Sequence, residues 1–164
     1  MSTKKRLAVV LFVLVSCVGC DQATKSVAKS LLAEVEVWSV LGDGVRLQLA
    51  HNSGAFLSLG AWLPEVWRQT FLMGGVGVLL LGMLGYALLS EQPRPVGVFA
   101  MALLFAGGVS NLADRFVYGG NVVDFINIGI GSLRTGIFNV ADICITVGVF
   151  ILVTGEFTGR MKNS

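Results

Sequence analysis

The sequence predicts a mainly α-helical, polytopic membrane protein with four transmembrane helices, both termini cytoplasmic and a small periplasmic β-hairpin between helices 1 and 2. Three observations predict it. Of the 164 residues, 54% are hydrophobic and only 13% charged, against about 25% charged in a soluble domain. The mean hydropathy is +0.78, which also excludes disorder, since a disordered chain needs low hydrophobicity and high charge. Finally, the apolar residues gather into runs that match a hydrocarbon core of about 30 Å, which takes about 20 helical residues to cross. The length fits one domain. A net charge of +2 without a long basic run offers nothing to nucleic acid. Three cysteines, two of them within an apolar run, make no disulfide framework.

The first span covers residues 7–24: Leu7 to Cys20 is apolar, and Asp21 to Lys25 can carry the helix to the interface. A rival reading is a cleaved signal peptide. Lys4, Lys5 and Arg6 would be its basic region, Leu7 to Val15 its apolar region, and Leu14-Val15-Ser16-Cys17 a lipoprotein cleavage box. In the next segment Val35, Val37 and Val40, then Val45, Leu47 and Leu49, alternate with polar residues around Gly42-Asp43-Gly44. That pattern predicts a hairpin resting on the membrane surface. Trp38, Trp62 and Trp67 fall in or beside it, where interfacial aromatics collect.

The second span covers 68–89, and its glycines Gly74, Gly75, Gly77, Gly82 and Gly85 predict close helix packing. The third covers 96–113, between Pro95 and Asp114. The fourth covers 137–155 and carries Asn139 and Asp142 near its start. Lys4, Lys5 and Arg6, then Arg94, then Arg160 and Lys162 fall on one side of a four-span chain, which sets that side as cytoplasmic.

Ionisable groups at membrane depth are expensive and by default mark function. Four polar clusters lie at the outer ends of the spans. Asp21 and Lys25 share a helix face at i, i+4, and Asn111, Asp114 and Arg115 share one at i, i+3, i+4. Asn52 and Gly54 lie in His51-Asn52-Ser53-Gly54-Ala55-Phe56, and Asn139 and Asp142 share a helix face at i, i+3, with Asp124 upstream of them. Plainer readings exist: Asp21 with Lys25, and Asp114 with Arg115, as ion pairs anchoring helix ends, and Asn52 to Gly54 as an ordinary turn. Asp142 resists such a reading because Ile143-Cys144-Ile145 follows it, so its side chain must face protein or water.

A single histidine and the absence of HExxH leave a zinc protease without ligands. No metal and no cofactor are expected. No G-x-S-x-G occurs, and Cys17-Val18-Gly19-Cys20 sits in an apolar helix where packing explains it. A carboxylate pair remains. Two carboxylates a few Å apart cannot both ionise, so one can deprotonate water while the other polarises a peptide carbonyl.

Asp21-Gln22-Ala23-Thr24-Lys25, Asn52-Ser53-Gly54-Ala55-Phe56, Ser110-Asn111-Leu112-Ala113-Asp114-Arg115, Val123-Asp124-Phe125 and Phe138-Asn139-Val140-Ala141-Asp142 occur in this order. Over nearly the whole chain the set resembles lipoprotein signal peptidase (signal peptidase II). The resemblance implies an inner-membrane aspartic endopeptidase that cuts prolipoproteins on the amino-terminal side of a diacylglyceryl-modified cysteine. It places the catalytic pair at Asp124 and Asp142. It places substrate-binding or site-supporting roles at Asp21, Lys25, Asn52, Gly54, Asn111, Arg115 and Asn139. It also implies a β-cradle on the periplasmic membrane surface, lipid contact and inhibition by globomycin; a monomer is the expectation for its assembly, which the sequence itself leaves open. Ser110 stands where the family usually has glycine, and Phe56 follows Ala55 where many members have a further small residue. Two other functions fit the composition: a proton-coupled transporter using the same carboxylates, and a non-enzymatic lipoprotein anchored at Cys17 or Cys20.

Overall fold

The computed structural model describes residues 1–54, 62 and 64–161, so Ala55, Phe56 and Lys162 lie outside the described residues. Helix α1 runs Thr3–Leu32. Two strands follow, β1 (Trp38–Val40) and β2 (Val45–Asn52). Helix α2 (Glu65–Gln69) passes through a π-helical stretch, Thr70–Gly75, into α3 (Val76–Leu89). Then come α4 (Pro95–Val117), β3 (Val122–Ile130), β4 (Leu133–Arg134) and α5 (Val140–Met161).

Three helical stretches, Thr3–Leu32, Glu65–Leu89 and Pro95–Val117, are long and apolar enough to cross a bilayer, and Val140–Gly155 is a shorter apolar helix. Their outward faces are apolar as well: Phe12, Val15, Val78, Leu79, Leu81 and Phe150 are exposed. Water would not tolerate so continuous a patch, whereas lipid solvates it. Helix α4 sits at the centre, packed against α1, α3 and α5. Pro95 begins it, where the missing N–H costs no helical bond.

Small residues set the closest approaches, but not the ones expected. A Cβ at Gly74, Gly75, Gly82 or Gly85 would meet nothing within 4 Å. The tight positions are on α4 and α5. A Cβ at Gly107 would stand 2.5 Å from the Ala141 carbonyl oxygen, and one at Gly148 would stand 2.8 Å from that of Ala100. These two glycines let the backbones of α4 and α5 approach each other directly.

The sheet also departs from expectation. The hairpin between the first helices is real, turning through Leu41, Gly42 and Asp43 at positive φ, but it is only half of a four-stranded antiparallel sheet ordered β1-β2-β3-β4. Strands β3 and β4 come from the segment between α4 and α5. The hairpin alone would leave an open edge, which β3 closes. Phe125 of β3, with Leu47 and Leu49 of β2, packs on Ala28 and Leu32, which ties the sheet to the last turns of α1. Helix α1 therefore extends well past residue 24: its 30 residues span about 45 Å.

Helix α5 starts at Val140, not at residue 137. Phe138 bridges Ile126 of β3, donating its N–H to Ile126 O and accepting from Ile126 N at 2.9 Å each. At the opposite end of the bundle the buried Arg6 guanidinium donates to Ala87 O at 3.0 Å, to Ser90 O, and to Pro93 O at 3.4 Å. It thereby satisfies carbonyls left orphaned where α3 stops.

The Gly107 contact makes a measurable difference. Gly107→Ala should cost about 1–3 kcal/mol through overpacking. Gly82→Ala should be neutral or should stabilise by up to about 1 kcal/mol through helix propensity. Thermal unfolding of both variants in one detergent should lower Tm for the first only.

Candidate active site

The polar residues singled out in the sequence converge at the sheet end of the bundle. Asp21 and Lys25 come from α1, Asn52 from the last position of β2 and Gly54 from the bend just after it, Asn111 and Arg115 from α4, Asp124 from β3, and Asp142 from α5. Asn139 stands one residue before α5. Except for the partly buried Asn52, every side chain named here that carries charge or an amide is buried.

Asn139 joins the two carboxylates. Its side-chain Nδ2 donates to Asp124 Oδ1 at 2.7 Å and to Asn111 Oδ1 at 3.1 Å. Its backbone N–H donates to Asp142 Oδ2 at 3.2 Å, and its Oδ1 accepts from Asp142 N at 3.0 Å. This is a reciprocal capping box written with Asn and Asp. Asn139 and Asp142 therefore do not share a helix face, as the spacing suggested; one caps the helix that carries the other. Asn111 completes the ring by donating to Asp142 Oδ1 at 2.9 Å.

The sheet register supplies the other side. Ala50 pairs with Asp124 and Asn52 with Val122, after an irregularity between Leu47 and Ala50. Asn52 is thus a diagonal neighbour of Asp124, and its Nδ2 donates to Asp124 Oδ2 at 3.0 Å. Gly54 N donates back to Asn52 Oδ1 at 3.0 Å. Burial is the main force raising the Asp124 pKa, to about 6; the Asn52 amide opposes it, the Asp142 charge adds to it, and the Asn139 amide opposes it again.

Arg115 donates to Asn111 O at 3.2 Å and to Gly54 O at 2.7 Å. Its Nε is the buried side-chain nitrogen left without a hydrogen-bond partner among the described residues. The expected pairing of Asp114 with Arg115 does not form, because adjacent residues on a helix do not face each other. Asp114 instead pairs with Lys25 at 2.8 Å, and Lys25 pairs with Asp21 at 2.6 Å. These pairs are fully buried rather than interfacial. Ser110, read as a departure from the family pattern, donates to Asp21 Oδ2 at 2.7 Å. Gln22 donates to Ser110 and to Asp114 Oδ1. Sequence reasoning gave Asp114 and Gln22 no part in the site, although both flank polar positions it did select.

A groove of about 350 Å³ runs beside Asp142, walled by Phe138 and by Ile143, Thr146 and Val147 of α5. Its lining is almost wholly apolar and includes one carboxylate, Asp142. Among the described residues, no group of three or more His, Cys, Asp or Glu side chains is arranged to hold a metal ion.

Buried carboxylates and amides gathered at one end of an apolar bundle define a membrane protein with a site at the end of its spans. The chain belongs to the signal peptidase II family, whose model matches residues 13–158, and it is a peptidase of the membrane. It is 31% identical over 173 aligned residues to the lipoprotein signal peptidase of Treponema denticola, covering 100% of both chains. It is 32% identical to that of Staphylococcus carnosus, covering 96% of this chain and 95% of the relative. A solved structure described as a bacterial membrane enzyme superposes with a TM-score of 0.78 at 25% identity, covering 98% of this chain and 92% of that one.

The raised Asp124 pKa has a stability signature. The folded state holds this proton up to a pH of about 6, against 3.8 for the ordinary group. The contribution is complete below pH 3.8 and is lost as pH rises through about 6. Between pH 4 and 7 the loss should be on the order of 1–3 kcal/mol. Asp124→Asn should flatten this slope when Tm is measured across that range in one detergent.

Proposed function

We propose that this protein is an aspartic endopeptidase that removes signal peptides from prolipoproteins, cutting on the amino-terminal side of a diacylglyceryl-modified cysteine. The observation that carries the reading is that Asp124 and Asp142, from different elements, hang on the same residue, Asn139. Two carboxylates so coupled share one proton and one charge. The charged member takes a proton from water as the water oxygen adds to the peptide carbonyl carbon, and the protonated member donates to the carbonyl oxygen. On collapse of the resulting gem-diol, the protonated carboxyl gives its proton to the amine nitrogen as the C–N bond breaks, while the other carboxylate takes a hydroxyl proton as the carbonyl reforms, which leaves the dyad again with one proton and one charge. No metal and no cofactor enter these steps.

The geometry suggests a division of labour among the amides. Asn111 spends its Nδ2 on Asp142, and Asn139 spends its Nδ2 on Asp124 and on Asn111 Oδ1, so they fix the dyad. Arg115 Nε has no such commitment and is the donor available to a substrate carbonyl. The apolar groove beside Asp142 suits a signal helix arriving sideways from lipid, and a globomycin-type cyclic peptide would compete for it.

In the bilayer we place four transmembrane helices with both termini cytoplasmic and the four-stranded sheet as a periplasmic β-cradle of the inner membrane. Arg6 and Arg94 lie at the end away from the sheet, in agreement with the bias of basic residues toward the cytoplasm. Reporter fusions at residues 45 and 130 should read periplasmic and a fusion at 92 cytoplasmic. A cytoplasmic reading at 45 would overturn the topology.

The chemistry is tested by turnover of a diacylglyceryl-modified precursor. Asp124→Asn and Asp142→Asn keep size but cannot pass a proton, so each should abolish cleavage at normal protein level. The double variant should be hardly worse than either single one. An Asn variant that keeps more than about a tenth of wild-type turnover, a deficit of only about 1.4 kcal/mol, is not half of a catalytic pair.

A further inference from the structure

The backbone amide immediately before each active-site carboxylate is held by a different buried carboxylate. Val123 N, one residue before Asp124, donates to Asp114 Oδ2 at 3.1 Å. Ala141 N, one residue before Asp142, donates to Asp21 Oδ1 at 2.9 Å. Those two holding carboxylates are joined by one ammonium: Lys25 Nζ lies 2.6 Å from Asp21 and 2.8 Å from Asp114. A continuous chain of contacts therefore runs from the start of β3 through Asp114, Lys25 and Asp21 to the start of α5. A branch reaches Asn111 Oδ1 from Lys25 at 3.4 Å, and Asn111 in turn donates to Asp142.

We propose that Asp21, Lys25 and Asp114 form a positioning frame that sets the separation of Asp124 and Asp142, with Asp114 as its unassigned third member. The inference rests on the hydrolytic reading of that pair. Its physical basis is the cost of the alternative. All three side chains are essentially fully buried, and burying charges costs several kcal/mol per ion unless geometry and extra hydrogen bonds repay it. Apolar residues of the same volume would fill the space more cheaply, but they have no means of gripping a backbone N–H in a fixed direction. The remaining carboxylate lone pairs are used too: Ser110 donates to Asp21 Oδ2, and Gln22 to Asp114 Oδ1. The frame is satisfied on every side, which is what a rigid spacer needs. None of its members faces the groove beside Asp142, so it acts through the backbone and not on substrate.

The test compares Asp114→Asn and Lys25→Arg with wild type and with Asp124→Asn, reading kcat, KM and the pH profile on a synthetic diacylglyceryl lipopeptide, with Tm alongside. Misplacing reacting groups by about 1 Å costs on the order of 10²-fold. Asp114→Asn should therefore lose that order in kcat, with KM changed by less than about threefold. The acid limb of its pH profile should move, because the two carboxylates no longer keep their spacing. Lys25→Arg keeps the charge but widens the gap, and should show the same pattern to a lesser degree at unchanged Tm. Wild-type kcat and an unmoved limb in either variant would overturn the frame. A loss only in proportion to unfolded protein, or failure of both variants to fold, would make these residues a folding element and would equally overturn it. If Asp124→Asn itself retains turnover, the hydrolytic reading fails, whatever the frame variants do.

Discussion

The structure depends on how one helix is begun. Helix α5 starts inside the protein, where its first N–H groups have no water to meet, and each orphan there costs free energy until something accepts it. The chain supplies two acceptors: the side chain of Asn139, and Asp21 from the far side of α1. The first choice brings Asp142 back onto its own cap, and the second binds α5 to α1. Because the Asn139 amide also reaches Asp124, the cap that starts the helix is also the link to the sheet. Fold and site are closed by the same hydrogen bonds.

Around that point the bundle obeys the rules of lipid more than those of water. Apolar side chains cover the outside of α1, α3 and α5, where they gain little by packing on one another, so the helices are held by close approach and by buried polar contacts. Gly107 and Gly148 provide the first between α4 and α5. The second is concentrated at one level, where α1, α4, β3 and α5 meet. Asp124 keeps its raised pKa there because burial outweighs the two amides that donate to it.

Much of this was legible in the sequence, for a simple reason: in an apolar chain every polar residue is an exception. Asp21, Lys25, Asn111, Arg115, Asn139 and Asp142 stood out against their runs, and the structure brings them together. Strand β3 did not stand out. Val122 to Phe125 is buried on both faces, so it lacks the alternation that revealed β2. The extended stretch before α5 was hidden for a related reason, since its pairing with Ile126 is a long-range choice. The glycines of α3 suggested tight packing that occurs instead at less conspicuous glycines on α4 and α5, among them Gly107 and Gly148. The partner of Asp114 could not be read locally, because it lies on another helix.

The Arg6 contacts also bear on the order of assembly. Arg6 is made before its acceptors at Ala87, Ser90 and Pro93, which lie more than 80 residues later, and the Ala141 amide that Asp21 accepts lies 120 residues further along. At about 5–20 residues per second of synthesis, a newly inserted α1 waits on the order of 10 s for the last of these partners. During that interval its Arg6, Asp21 and Lys25 have only water, headgroups and one another. Helix α1, made before every partner that completes it, is therefore among the last to be finished, and its charged positions must be tolerable alone before they become useful together.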